Sequence, residues 1–435
     1  MLEGKDAGRQ HTLLPLSAVD RPADRPLHPP VVGAVRRRRV LYVEGYDPRG
    51  AELYHHLFQR SCDRFGKVWP VSLTLKPIEI DSEELAHWSI EMRSARWQVA
   101  TRYDFLRLEH HIRADMGGSL ARQILRALGW IVDDLVSGAL WRIFRASWQF
   151  GAHLLLIQVL FLVWLAVAAA CGLAAFRAVT VGLSEPVALG LVAALLVAAA
   201  ALYALRPLAR RSFVIQITHC WATLRRFGRG KENGKETWID QAVEAGARHL
   251  VAVAQTSDAD EIVVVGHSTG SVIASAIVAR ALALDPYLGR KGSRLVLLTL
   301  ASIMPAVALH PAATRMRDIV KRLASEPALS WIECQSRKDV MNFDDFDPVK
   351  GVGMHVERQR NPLLWPVRFK DMMSPDDYRR LRWHFYTMHF QYIMAGDRPT
   401  PHDYVLLVGG PMALIDWAKH HDLAIIRDAM ARGPE

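Results

Sequence analysis

The chain has only four cysteines in 435 residues, Cys62, Cys171, Cys220 and Cys334, and no two of them stand at CxxC spacing. That excludes a disulfide framework and a thioredoxin-like redox pair; reduced, buried thiols are expected instead. The 18 histidines form no cluster at metal-ligand spacing, so neither a metal nor another cofactor is expected. A basic start followed by an apolar run is also missing: the chain opens MLEGKDAGRQ, which does not read as a secretory signal. Positive charge is not gathered into one stripe. The formal net charge is +10, but the excess is divided between Arg36 to Arg39 and arginines beside apolar segments, a placement that favours an anionic membrane surface over nucleic acid as partner.

What the chain does have is hydrophobic length. Half of it, 51%, is apolar, enough for a full α/β core with a large remainder. From Ala152 to Phe176 and again from Val187 to Leu205 no formal charge occurs, and only Arg177 to Pro186 separate the two runs. Each can cross a hydrocarbon core of about 30 Å as a helix, so a two-helix transmembrane hairpin is expected; buried core helices or a re-entrant hairpin are the alternatives. Arg142, Arg145, Arg206, Arg210 and Arg211 flank the hairpin on one side, against Arg177 alone in its loop. The positive-inside rule then puts both flanks in the cytoplasm, as in a multi-pass protein of a bacterial inner membrane. Residues 119–150 set Leu120, Ile124, Ile131, Trp141 and Trp148 against Arg122, Arg126, Arg142 and Arg145, which predicts a basic amphipathic helix at headgroup level. A helix packed on the folded domain is its alternative.

These boundaries give five segments: a disordered Pro/Arg-rich tail over 1–38, a first part of the α/β core with an insertion over 39–118, the amphipathic helix over 119–150, the hairpin over 151–206, and the main catalytic region over 207–435. In the first part, Val40 to Val43 reads as a strand ending in Glu44-Gly45-Tyr46, residues 67–80 as one or two strands, and 81–115 as mostly helical or irregular.

The most specific motif is Gly266-His267-Ser268-Thr269-Gly270, preceded by the strand-like Ile262 to Val265 and followed by the small, helix-forming stretch from Ser271 to Ala276. Strand, G-x-S-x-G and helix in that order predict a nucleophile elbow with the Ser268 hydroxyl at its tip. Further strands are expected over 294–300 and 330–334. Strands alternating with helices predict a mainly parallel sheet with its functional loops at the carboxyl ends of the strands. Asp339 follows one such end and is the candidate triad acid, with Asp344, Asp345 and Asp347 as rivals. The order Ser, Asp, His limits the base to His355, His384, His389, His402, His420 or His421. His389 is chosen because it follows a possible strand over 364–369 and a helix over 375–383, on a late loop; His402 precedes an apolar strand over 404–408 and would emerge at the wrong end.

The segments Val264 to Gly270, Leu298 to Ser302 with Pro305, and those around Asp339 and His389 resemble the α/β-hydrolase superfamily, in its lipase- and esterase-like branch and its membrane-anchored bacterial members. The resemblance covers 40–50 and about 240–395. It implies an α/β fold of that type, interrupted by the hairpin, and hydrolysis of an acyl ester in a lipid or other acylated substrate. Ser268 would be the nucleophile, His389 the base and Asp339 its orienter, with an oxyanion hole from Thr269 and from Gly45 or Tyr46. The family's usual His-Gly oxyanion sequence is replaced here by Glu44-Gly45-Tyr46. The same residues would serve an acyltransferase or a peptidase, and a membrane-tethered scaffold with an inactive hydrolase fold is the non-enzymatic alternative.

Overall fold

A computed structural model describes residues 34–230, 236–420 and 422–432. Its nine-stranded sheet comprises β1 (Arg37–Val43), β2 (Ser72–Leu75), β3 (Glu79–Ile80), β4 (Leu85–Arg93), β5 (Gln98–Leu106), β6 (Glu261–His267), β7 (Arg294–Leu300), β8 (Leu329–Gln335) and β9 (Leu363–Pro366). The strand order is β2-β4-β5-β1-β6-β7-β8-β9, with β3 on β4. Every neighbouring pair from β5 to β9 is parallel, while β2, β3 and β5 all meet β4 antiparallel.

Among the described residues, α1 (Ala51–Val68) follows β1, and α2 (Glu109–Asp115), α3 (Leu120–Val136), α4 (Ala139–Ala146), α5 (Trp148–Arg177), α6 (Val187–Arg211), α7 (Val214–Arg229) and α8 (Trp238–Thr256) separate β5 from β6. α9 (Gly270–Leu284) joins β6 to β7, and α10 (Met304–Ala308) and α11 (Thr314–Ser325) join β7 to β8. After β9 come α12 (Phe369–Met372), α13 (Pro375–Leu381), α14 (Phe385–Phe390), α15 (Tyr404–Gly409), α16 (Leu414–Lys419) and α17 (Leu423–Arg432).

The middles of the central strands are apolar because both faces of the sheet are covered. Leu41, Val43, Val264 and Leu297 point into one core with Val243 and Leu250 of α8 and Ile273 and Ile277 of α9. Val40, Tyr42, Val263 and Leu298 point into the other, with Tyr54 and Phe58 of α1 and Leu407 of α15. The result is a mixed α/β architecture with a mostly parallel sheet between helical layers.

Four expectations need correction. β1 begins at Arg37, inside the segment assigned to the tail. Arg38 is buried there with a partner for each guanidinium nitrogen: Nε donates to Glu261 Oε2, and Nη1 and Nη2 to the carbonyls of Gly410 and Met412, each at 2.8 Å. The rest of the proposed tail, residues 1–33, lies outside the described residues. The stretch 81–115 is mainly the antiparallel pair β4 and β5, in which Ala86, Trp88, Ile90 and Met92 alternate inward, a period of two that histidine and charged neighbours obscure. The apolar run at 404–408 is helical, α15, capped by the Asp403 side chain on the Val405 N–H. Finally, 119–150 is not one interfacial helix. Gly138, at φ 69°, ends α3 and begins α4, and Ala127, Trp130, Ile131, Leu140 and Ile143 pack into the first core. Trp141 and Trp148 remain 67% and 70% exposed.

Among the described residues, two helical elements are long and apolar enough to cross a membrane: α5 with its π-helical extension, Trp148–Gly182, and α6. They pack closely. A Cβ on Gly172 would lie 2.9 Å from the Ala194 carbonyl oxygen and 3.1 Å from Ala198 Cβ, so glycine is what lets the two backbones approach. The near end of α5 belongs to the folded domain: Phe150, Leu154, Ile157, Phe161 and Trp164 enter the first core. A buried cluster fastens that end, with Gln158 Nε2 donating to Asp134 Oδ2 at 3.1 Å and Arg225 Nη2 to Asp134 Oδ1 at 2.6 Å.

Candidate active site

Ser268 sits between β6 and α9 with φ 55°, a left-handed conformation that a non-glycine residue adopts at some cost. The flanking glycines explain how the chain turns so sharply. A Cβ on Gly270 would lie 2.1 Å from the Val43 carbonyl oxygen and 2.5 Å from that of Glu44; one on Gly266 would lie 2.7 Å from the Gly270 carbonyl oxygen. The end of β1 is thereby drawn against the elbow. Gly45 follows it so closely that its own Cβ, if present, would lie 3.5 Å from Ser268 Cβ and 3.9 Å from Ser268 Oγ.

Asp339 lies just beyond the carboxyl end of β8 and is buried. Its Oδ1 accepts the Met341 N–H at 2.9 Å, leaving Oδ2 for His389 Nδ1 at 2.8 Å. A carboxylate partner makes Nδ1 the protonated nitrogen and leaves Nε2 as the acceptor. His389 is in the last turn of α14 rather than on a loop. Its carbonyl accepts from His267 Nε2 at 3.0 Å, and the two rings lie 5.0 Å apart. Burial, followed by the nearby His389, pushes the His267 imidazole down to about 3, so it stays neutral and serves as a donor.

Ser268 and His389 line one cavity of about 240 Å³, together with Gly45 and Tyr46. No hydrogen bond joins Ser268 Oγ to His389 among the described residues. The remaining candidates lie apart from this group. Asp344 and Asp345 are exposed, and Asp347 caps a turn through the Val349 N–H at 2.7 Å. His355, His384 and His420 are exposed, His402 is buried with Nε2 on the Tyr392 carbonyl at 3.2 Å, and His421 lies outside the described residues.

Among the described residues the backbone N–H groups of Gly45, Tyr46 and Thr269 donate to no protein acceptor. Thr269 precedes α9, where N–H groups have no helical partner. Tyr46 is held at both ends: its hydroxyl donates to Asp115 Oδ2 at 2.6 Å, and its carbonyl accepts from Gln216 Nε2 at 2.6 Å. Asp115 also accepts from Thr223 and Arg126, at 2.7 and 3.0 Å. Glu44 is fully buried with Oε1 on the Leu108 N–H at 3.2 Å; burial, then the neighbouring Asp47 and Glu109, hold its carboxyl well above the usual range.

Sequence reasoning missed three sets of residues here. His153 and Ile157 of α5, and Phe213 between α6 and α7, line the same cavity, so the base of the hairpin forms part of its wall. Ser271 Oγ donates to the Ser268 carbonyl at 2.6 Å and accepts from Ser302 Oγ at 3.1 Å, bracing the elbow from beneath. Glu333, buried on β8, contacts Thr299 Oγ1. Thr299 Oγ1 also accepts from Trp331 Nε1 at 2.8 Å and can donate to the Ile332 carbonyl at 3.1 Å, which leaves a lone pair able to accept from a protonated Glu333. Burial raises the Glu333 carboxyl to about 8.

The four cysteines are unpaired, and no group of three His, Cys, Asp or Glu side chains among the described residues could hold a metal ion. Comparison with protein-family models, curated proteins and solved structures finds no match to this chain.

Proposed function

We propose that this chain is a membrane-anchored serine hydrolase of the α/β-hydrolase type that cleaves an acyl ester. The observation that carries the reading is the 2.8 Å contact of Asp339 with His389, whose ring shares a cavity with Ser268. In this mechanism Ser268 Oγ attacks the ester carbonyl while His389 Nε2 takes its proton. Asp339 holds the ring in the required tautomer and stabilises its cation. The carbonyl oxygen becomes an oxyanion held by the N–H of Thr269 and one from Gly45 or Tyr46; each such donor is typically worth about 3 kcal/mol. His389 returns its proton to the departing alcohol, and water releases the acyl group from Ser268 by the same steps in reverse.

The membrane part of the reading rests on the hairpin. α5 turns exposed apolar residues outward from Leu155 onward, and α6 does so from Val187, before ending in Arg210 and Arg211. With the hairpin in the bilayer, its arginine-rich base lies on the cytoplasmic side. His153, Ile157 and Phe213 put the cavity at that base, where an acyl chain leaving the bilayer meets Ser268.

Hydrolysis of p-nitrophenyl esters of graded chain length by the full-length protein in neutral detergent tests this reading. Turnover should favour esters over the matching amides and vanish in Ser268→Ala without loss of thermal stability. Near-normal turnover by Ser268→Ala would overturn the assignment.

A further inference from the structure

Beside the hairpin base lies a second concavity that the proposed reaction does not use, an open groove of about 480 Å³. Arg337 and Lys338 reach it from the loop after β8, Arg368 and Lys370 from the start of α12, and Gln149 from the first turn of α5. The balance of charge is positive. Arg368 pairs with Asp371 at 3.2 Å and Arg337 faces Asp344, but Lys338 and Lys370 have no carboxylate partner among the described residues. The Lys338 ammonium lies 4.5 Å from the ring centroid of Trp383, a residue that is 64% exposed, and the Arg382 guanidinium lies 5.4 Å from the same ring.

Depth selects the ligand. Gln149 is six residues before Leu155, the first of the outward-facing leucines, which is about 9 Å along a helix axis. A hydrocarbon core ending near Leu155 would put Gln149 at the outer edge of the headgroup layer. Trp148 and Trp383 add exposed indoles of the kind that settle at a membrane interface.

We infer that this groove binds the phosphate of an anionic phospholipid headgroup, through Arg337, Lys338, Arg368 and Lys370. The inference rests on the hairpin lying in a bilayer, but not on the hydrolase chemistry. Uncompensated cations at headgroup level attract phosphate, and one basic residue near an anionic surface supplies about a fivefold preference.

The test uses full-length protein in neutral maltoside detergent, offered equal amounts of phosphatidylglycerol and phosphatidylcholine with the same acyl chains, and counts retained lipids by native mass spectrometry. Phosphatidylglycerol should be retained on the order of tenfold over phosphatidylcholine. The ratio should fall towards one in Arg337→Gln/Lys370→Gln, and also drop in the single exposed-site variant Lys370→Glu. Equal retention by the wild type, or an unchanged ratio in both variants, would overturn the assignment. So would displacement of the lipid by equimolar inorganic phosphate, which would mark a free-anion site instead. Ser268→Ala should show the wild-type ratio, so a chain that hydrolyses no ester still returns a result for the groove.

Discussion

Gln216 and Tyr46 stand 170 residues apart in the chain, yet the Gln216 side-chain amide donates to the Tyr46 carbonyl at 2.6 Å. One residue belongs to the helix that leaves the hairpin, the other to the turn that faces Ser268. The insertion between β5 and β6 is therefore tied to the turn beside Ser268. It holds the carbonyl of Tyr46, the residue whose N–H, one peptide earlier, is a candidate oxyanion donor, and Asp115 repeats the connection through Tyr46, Thr223 and Arg126.

Gln216→Leu removes that donor at little cost in side-chain volume. Because misplacement of about 1 Å in a reacting group can cost a hundredfold, kcat/KM for an ester should fall by roughly tenfold to a hundredfold. The loss should appear mainly in kcat, with the thermal midpoint nearly unchanged. A kcat equal to wild type would show that the Gln216 bond to the Tyr46 carbonyl is not needed for catalysis.

Gly270→Ala places a methyl group 2.1 Å from the Val43 carbonyl oxygen, against backbone that cannot give way cheaply. Destabilisation of about 4 kcal/mol or more is expected, read as a fall in the urea midpoint or a failure to accumulate. Ser271→Ala is the milder companion: it removes the 2.6 Å brace on the Ser268 carbonyl and the acceptor of the buried Ser302 hydroxyl, and should cost about 2 kcal/mol of stability. Equal stability of Gly270→Ala and wild type would contradict the tight approach of β1 to the elbow.

Glu333 makes stability depend on pH with a definite sign. The folded chain keeps a proton on this carboxyl up to about 8, whereas the unfolded chain releases it near the ordinary value of 4.5. Its contribution is therefore fully present below 4.5 and is lost as pH rises towards 8, at up to about 1.4 kcal/mol per pH unit. Glu333→Gln keeps a donor for Thr299 without the titrating proton. Thermal midpoints from pH 5 to 8 should decline more steeply in the wild type than in this variant; parallel curves would show that Glu333 is already ionised in the folded protein.

The elbow was legible because its constraint is local: two glycines, a preceding β-branched run and a following helix are all readable within a few residues of Ser268. The segments holding Asp339 and His389 were legible by chain order and by their place after predicted strands. What could not be read is what joins distant segments. Nothing in the spacing of Gln216, Ser302 or His153 announces a partner that only the folded chain brings near. Periodicity also misled where burial was complete: residues 404–408 are apolar on every side, so a short helix and a strand look alike there, and the capping role of Asp403 was the one local cue. In β4 the alternation is masked in the sequence, because His87, buried beside Asp81 at 2.8 Å, makes the strand look polar.

The most direct measurement is covalent labelling by a fluorophosphonate, with the adduct located by peptide mass spectrometry. Labelling should fall on Ser268 alone, disappear in Ser268→Ala, and slow by at least about a hundredfold in His389→Ala, with Asp339→Asn also slowed through its effect on the ring. An adduct on another residue, or labelling of Ser268 at an undiminished rate without His389, would contradict the account.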